Sequence, residues 1–140
     1  MIVLDTNVIS EAMRDAADGR VVAWMDAQAI ETLFITAITV AELRFGILAL
    51  PPGKRREGLS ERLDGRVLPV FAERILPFDL AASATYADLM ATASREGQAI
   101  GREDGYIAAI ARARGLSVAT RDISPFQAAG VPVIDPWTSR

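Results

Sequence analysis

Three short apolar runs punctuate the chain: Ile2-Val3-Leu4, Leu33-Phe34-Ile35 and Leu116-Ser117-Val118-Ala119. Runs of this length without a charge are the pattern of strands buried on both faces of a parallel sheet. Each is followed by a stretch with helical spacing. The pattern predicts helices over residues 7–14, 20–28, 38–50 and 54–64. Asp79 is placed to cap an Ala-rich helix that stops before Gly97. A further helix over 103–114 ends at Gly115, where glycine suits the left-handed residue that follows a helix. Val131-Pro132-Val133-Ile134 reads as an edge strand, where proline is tolerated, and Arg74-Ile75-Leu76 as another. Strands alternating with helices predict an α/β domain with a central, mainly parallel sheet. Pro51-Pro52-Gly53 breaks the chain between two helices and predicts an αα-hairpin. Its second arm, opening Lys54-Arg55-Arg56-Glu57, reads either as a solvated helix or as a surface for phosphate or a partner.

Composition narrows the class. With 140 residues, 51% hydrophobic and 24% charged, the chain is expected to fold as one domain over 1–140. It contains no cysteine, which excludes disulfides and thiolate metal sites. It also contains no histidine, so the commonest general base, Ser-His and Cys-His nucleophile pairs and imidazole zinc sites are excluded. Hydrolytic chemistry must then rest on carboxylates. The N-terminal run meets an acidic residue with no basic leader, and no apolar run has the length of a membrane span, so a cytoplasmic protein with no membrane partner is expected. A net charge of -3 lacks the overall basic footprint of a nucleic-acid protein, and local patches would have to supply it.

The acids that matter are those the fold would gather. In open parallel sheets, ligands bind beyond the carboxyl ends of the strands. Asp5 directly follows the first strand and Asp122 closely follows the strand that ends at Ala119. Glu42 and Asp104 fall in the first turns of helices that begin at the same edge. Glu42 sits among Ile38, Val40, Ala41, Leu43, Phe45, Ile47 and Leu48, a helix apolar on nearly every face, where an unpaired carboxylate is costly. Asp104 shares the stripe of Ile107, Ile110 and Ala111, and is expected to point inward. Each acid also has a bland role open to it: a helix cap for Asp5, a first-turn acid for Asp104, an arginine partner for Glu42, a loop residue for Asp122. Together, however, four carboxylates repel and are stable at neutral pH mainly around a cation. All-oxygen ligation selects hard ions such as Mg²⁺ or Mn²⁺, which bridge to phosphates, and this points to phosphodiester chemistry.

These segments resemble a known family, the PIN-domain ribonucleases, and within it the VapC and FitB type toxins of bacterial toxin-antitoxin pairs. Met1-Ile2-Val3-Leu4-Asp5-Thr6-Asn7-Val8 resembles the first acidic motif, and Thr39-Val40-Ala41-Glu42-Leu43-Arg44-Phe45-Gly46 the second. Asp104-Gly105-Tyr106-Ile107-Ala108-Ala109 is similar to the third. Ala119-Thr120-Arg121-Asp122 with Phe126 is similar to the fourth, and Val133-Ile134-Asp135-Pro136-Trp137 to the C-terminal ending. The resemblance implies a PIN-like, Rossmann-like α/β/α sandwich. It further implies a Mg²⁺ or Mn²⁺ site made by Asp5, Glu42, Asp104 and Asp122, with Thr6 and Thr120 as supporting hydroxyls. RNA, often transfer RNA, is the implied substrate. The implied partners are a second copy in a homodimer and a cognate antitoxin of the VapB or FitA kind that blocks the metal site, with operator DNA bound only through the antitoxin. Many members carry asparagine where Asp122 stands, and Arg102-Glu103 is more polar than the usual approach to the third acid. Asp122 and Glu103 therefore both stay open as direct ligands. Arg44, Arg102 and Arg121 are candidate RNA contacts, or structural ion-pair partners.

Other readings fit less well. The opening motif weakly resembles the nucleophile motif of haloacid dehalogenase-type phosphatases, but Asn7 stands where a second aspartate is needed. The only lysine, Lys54, lies in the charged arm, which also counts against a receiver domain. A catalytically silent PIN-like module that binds RNA or a partner is the remaining alternative.

Overall fold

The apolar runs form the middle of a five-stranded sheet in which every pairing is parallel. The structure, a computed structural model, describes residues 1–138. Its elements in chain order are β1 (Ile2–Leu4), α1 (Thr6–Ala12), α2 (Gly19–Asp26), β2 (Leu33–Thr36), α3 (Ala37–Leu48), α4 (Lys54–Arg62), α5 (Leu68–Val70), β3 (Ile75–Leu76), α6 (Leu80–Arg95), α7 (Arg102–Ala113), β4 (Ser117–Ala119), α8 (Ile123–Ala128) and β5 (Val133–Ile134). The sheet order is β3-β2-β1-β4-β5. From β1 the chain builds outward through β2 and β3, then returns to pair β4 on the other side. The order therefore reverses between β1 and β4, and a crevice opens at the carboxyl ends of those two strands.

Successive strand residues face opposite sides of the sheet, and the cores follow that alternation. Val3 and Val118 join the cluster of Leu89, Ile107, Ile110 and Phe126 under α6, α7 and α8. Leu4 and Ala119 join Val8, Val21, Leu43, Leu63 and Trp137 under α1, α2, α3 and α4. The helical layers on both faces give the α/β/α sandwich that the motifs implied.

Element ends shift by at most two residues from expectation, as helix and strand ends commonly do. The outer strands are shorter, because Val131 and Pro132 precede β5 and Arg74 precedes β3. Asp79 caps α6 by accepting from Ala82 N at 2.9 Å, and Gly115 adopts φ 69 as the residue after α7 required. The α3–α4 hairpin is present, but its second arm is anchored rather than simply solvated. Arg62 donates to Met13 O at 2.7 Å and pairs with Asp15, and a π-turn, Leu63–Val67, buries Leu63 before α5 begins. No helix among the described residues is long and apolar enough to cross a membrane.

Candidate metal centre

Asp5 is the residue at which β1 ends and α1 begins. Its amide still pairs with Ala119 O of β4 at 2.9 Å, while its Oδ1 caps α1 by accepting from Thr6 N at 2.8 Å. The capping role and a place in the crevice are thus compatible. Its Oδ2 accepts from the buried hydroxyl of Thr120 at 2.8 Å. Asp5 is only 4% exposed, and burial pushes its pKa up, against the Thr120 and Thr6 hydrogen bonds; Glu42 and Asp122 push it further up by repulsion.

Glu42 reaches the same place from α3. Thr6 Oγ1 donates to Glu42 Oε1 at 2.7 Å, and Thr39 Oγ1 lies 3.1 Å from Thr6 Oγ1. Thr36 Oγ1 in turn lies 3.4 Å from Thr39 Oγ1 and caps α3 through Thr39 N at 3.1 Å. A line of three threonine hydroxyls therefore ends on the carboxylate. Glu42 itself is half-buried, and this corrects the expectation that an apolar helix would enclose it. α3 leaves one apolar face in solvent, with Phe45 76% and Leu48 64% exposed, so Glu42 sits at a boundary rather than inside the core.

Asp104 lies in the first turn of α7 and is half-buried. Its carboxyl pKa is pushed up to about 6, first by burial and then by repulsion from Asp5, Asp122, Glu42 and Glu103. The residue after it explains how α7 comes so close. A Cβ at Gly105 would stand 2.9 Å from Met90 Sδ and 3.1 Å from the Tyr86 ring, so only glycine lets α7 lie against α6 without displacing those side chains. Asp122 occupies the position before α8 but does not cap it with its side chain. It is exposed, and its field is felt at both Asp5 and Asp104. Glu103 is exposed and adds only the last of the repulsions on Asp104.

The structure thus sets Asp5, Glu42, Asp104 and Asp122 within electrostatic reach of one another, at the crevice where the strand order reverses. Among the described residues, no arginine or lysine forms an ion pair with any of them: Arg44 pairs with Asp64, Arg112 with Asp88 and Arg114 with Asp79. Arg121 lies over the Trp137 ring at 5.1 Å, and Arg102 is exposed. The arginine alternative for Glu42 therefore fails. Among the same residues, no three acidic groups stand close enough to hold a metal ion as they are. Carboxylates that repel one another without a counter-charge are expected to stand apart in this way. All donors are oxygen, a set that suits hard cations such as Mg²⁺ or Mn²⁺.

Sequence reasoning passed over Thr36 and gave Thr39 and Asn7 no role in the site. Asn7 Nδ2 donates to Thr120 Oγ1 at 3.1 Å, and Asn7 Oδ1 accepts from Arg121 N at 3.3 Å. The usable signal was the Thr36-x-x-Thr39 spacing ahead of Glu42, which reads as a helix cap.

This order of acids on this sheet decides the classification, because the PIN domain family model matches residues 2–131. The chain belongs to the PIN-domain family. Among curated relatives, the VapC ribonuclease Y4jK of Sinorhizobium fredii is 63% identical over 137 residues, covering 98% of each chain. Toxin FitB of Neisseria gonorrhoeae is 51% identical over 137 residues, covering 98% of this chain and 99% of its own. Among solved structures, the crystal structure of FitAcB from Neisseria gonorrhoeae superimposes with a TM-score of 0.94 at 50% identity, covering 99% of this chain and 100% of that one. Within the PIN domains, this chain stands in the VapC and FitB group.

Proposed function

We propose that this PIN domain is the toxin of a toxin-antitoxin pair and cuts RNA as a Mg²⁺- or Mn²⁺-dependent endoribonuclease, acting in the cytoplasm. The observation that carries this reading is the group of mutually repelling carboxylates with no basic partner among the described residues. Asp5 and Asp104 are assigned as the principal ligands, with Glu42 and Asp122 completing the site. An ion held there supplies Lewis-acid stabilisation of phosphoryl oxygens and a lowered pKa for attacking water. The chain's own groups do the positioning. Thr120 and Thr6 N fix the Asp5 carboxylate, while Thr6 holds Glu42 by Oε1 and leaves Oε2 to accept a proton or a ligand bond. With no histidine in the chain, the carboxylates are the groups placed to take the proton from water.

RNA as the substrate is supported by the activity in the name of the Sinorhizobium relative, with the exposed Arg102 and Arg121 available for phosphate contacts. An antitoxin partner is supported by the FitAcB likeness and by a groove of about 790 Å³ between α1, α3 and α4. That groove starts at Thr6 and Glu42 and continues past the apolar Leu43, Ile47 and Leu59. A segment lying in it would reach the acids and block them. We assign operator DNA binding to that antitoxin and not to this chain, whose net charge is -3. The exposed Phe45 and Leu48 on α3 favour a homodimer.

The test is incubation of the purified chain with structured and single-stranded RNA. Cutting with Mg²⁺ that is lost with EDTA and with Asp5→Asn is the expected result. RNA binding without cutting would favour a catalytically silent module instead.

A further inference from the structure

We propose that Asn7 is a positioning residue whose side-chain amide tethers the loop carrying Asp122 to the start of α1, and so fixes where the fourth acid stands relative to Asp5. Its consequence for the ion rests on the metal-site reading above; its geometry does not.

Asp122 is exposed and makes no side-chain hydrogen bond to cap α8. Its location is therefore set by its backbone. The loop leaves the sheet after Thr120, whose amide still pairs with Ile134 O at 2.9 Å. Beyond that point, the next two amides both end on Asn7 or on a group that Asn7 holds. Arg121 N donates to Asn7 Oδ1 at 3.3 Å. Asp122 N donates to Thr120 Oγ1 at 3.0 Å, the same hydroxyl that accepts from Asn7 Nδ2 at 3.1 Å and donates to Asp5 Oδ2 at 2.8 Å.

Asn7 uses both ends of its amide, accepting from one side of the loop and donating to the hub on the other. A carboxylate only accepts and an aliphatic group does neither, while a hydroxyl would have to make both contacts from a single atom. Asp5 already caps α1, and the remaining contact of Asn7, from Nδ2 to Asp5 Oδ2, is the longest it makes at 3.5 Å. A tether is needed for an electrostatic reason: repulsion between Asp122 and both Asp5 and Asp104 favours swinging an exposed loop acid away into water, a motion that costs little burial. Asn7 opposes that swing.

A double-mutant cycle tests the tether, using Asn7→Ala, Asp122→Ala and the pair, with Mn²⁺ binding to the metal-free protein measured by calorimetry. Groups that orient ligands typically contribute about tenfold or more to metal affinity. Asn7→Ala is expected to weaken Mn²⁺ about tenfold in the parent, and less than about twofold when Asp122 is already gone. Equal losses in both backgrounds would overturn the proposal, because Asn7 would then act on Asp5 or on the ion itself. Amide hydrogen exchange, read without metal, gives the second measurement. Exchange at Arg121 and Asp122 should quicken about tenfold in Asn7→Ala while the Ile35 amide in β2 stays protected, for a loss of about 1.4 kcal/mol in local protection. Unchanged exchange at Arg121 and Asp122 would also overturn it. Were the parent to take up no Mn²⁺, the metal-site reading would fail while the exchange result still decided the tether.

Discussion

The hydroxyl of Thr120 donates to Asp5 Oδ2 at 2.8 Å across a separation of 115 residues. That contact joins the ends of β1 and β4, the two strands between which the sheet order reverses. It gives a fully buried hydroxyl a carboxylate to serve, and it orients the most enclosed acid of the site. Thr120 also accepts from Asn7 and from Asp122 N, so one side chain holds three parts of the site together.

Thr120→Val keeps the shape and removes those hydrogen bonds. A buried charged acceptor that loses its donor costs about 2 kcal/mol, and for a chain of this size the melting temperature should fall by about 6 °C. Thr120→Ser should recover most of the loss. Differential scanning calorimetry checks both; a Thr120→Val protein that melts with the parent would remove the hub from the account.

Asp104 sets the sign of the pH dependence. Its folded pKa is about 6 against an ordinary 3.8, so the folded state binds this proton more tightly than the unfolded state. The resulting stability is fully present below about pH 4 and is lost as pH rises through about 6. Asp5 shifts in the same direction, chiefly through burial. In EDTA, the difference in melting temperature between Asp104→Asn and the parent should therefore grow in favour of the variant from pH 4 to pH 7. A difference independent of pH would contradict the raised pKa of Asp104, set first by burial and then by the neighbouring acids. Mg²⁺ should stabilise the parent at pH 7 and leave the variant nearly unmoved.

Thr6→Val cuts the hydroxyl line at the bond to Glu42 Oε1. Loss of an orienting donor is expected to lower kcat by about tenfold with little change in KM. Steady-state cleavage of one RNA substrate measures both. A change confined to KM would move Thr6 from the acids to the RNA surface.

Phe45→Glu combined with Leu48→Glu places charges on the exposed face of α3. The parent should sediment as a dimer and the double variant as a monomer with its fold intact by circular dichroism. A parent that sediments as a monomer at micromolar concentration would reject the homodimer.

Much of this arrangement is legible in the sequence because burial and periodicity are local signals. The uncharged runs at β1, β2 and β4 announced a parallel sheet, and Asp5 at the end of one of them announced the crevice. Asp104 followed from its place on the inward stripe of α7. Glu42 was found for a reason only half right: its helix is apolar all round, yet one side of it faces solvent, so the acid is held by Thr6 at a boundary rather than trapped in a core. What the sequence did not disclose depends on tertiary approach. Asn7 and Thr39 look like ordinary first-turn residues until the sheet brings residue 120 beside one and residue 6 beside the other. The π-turn after α4 escaped because its first two residues, Leu63 and Asp64, read as the end of the helix predicted over 54–64.

The most direct measurement is an anomalous difference map from crystals soaked in Mn²⁺. A peak within coordination distance of both Asp5 and Asp104, with Glu42 and Asp122 turned toward it, is the expected result. A map with no peak among these acids, or with arginine side chains standing between them, would contradict the metal centre.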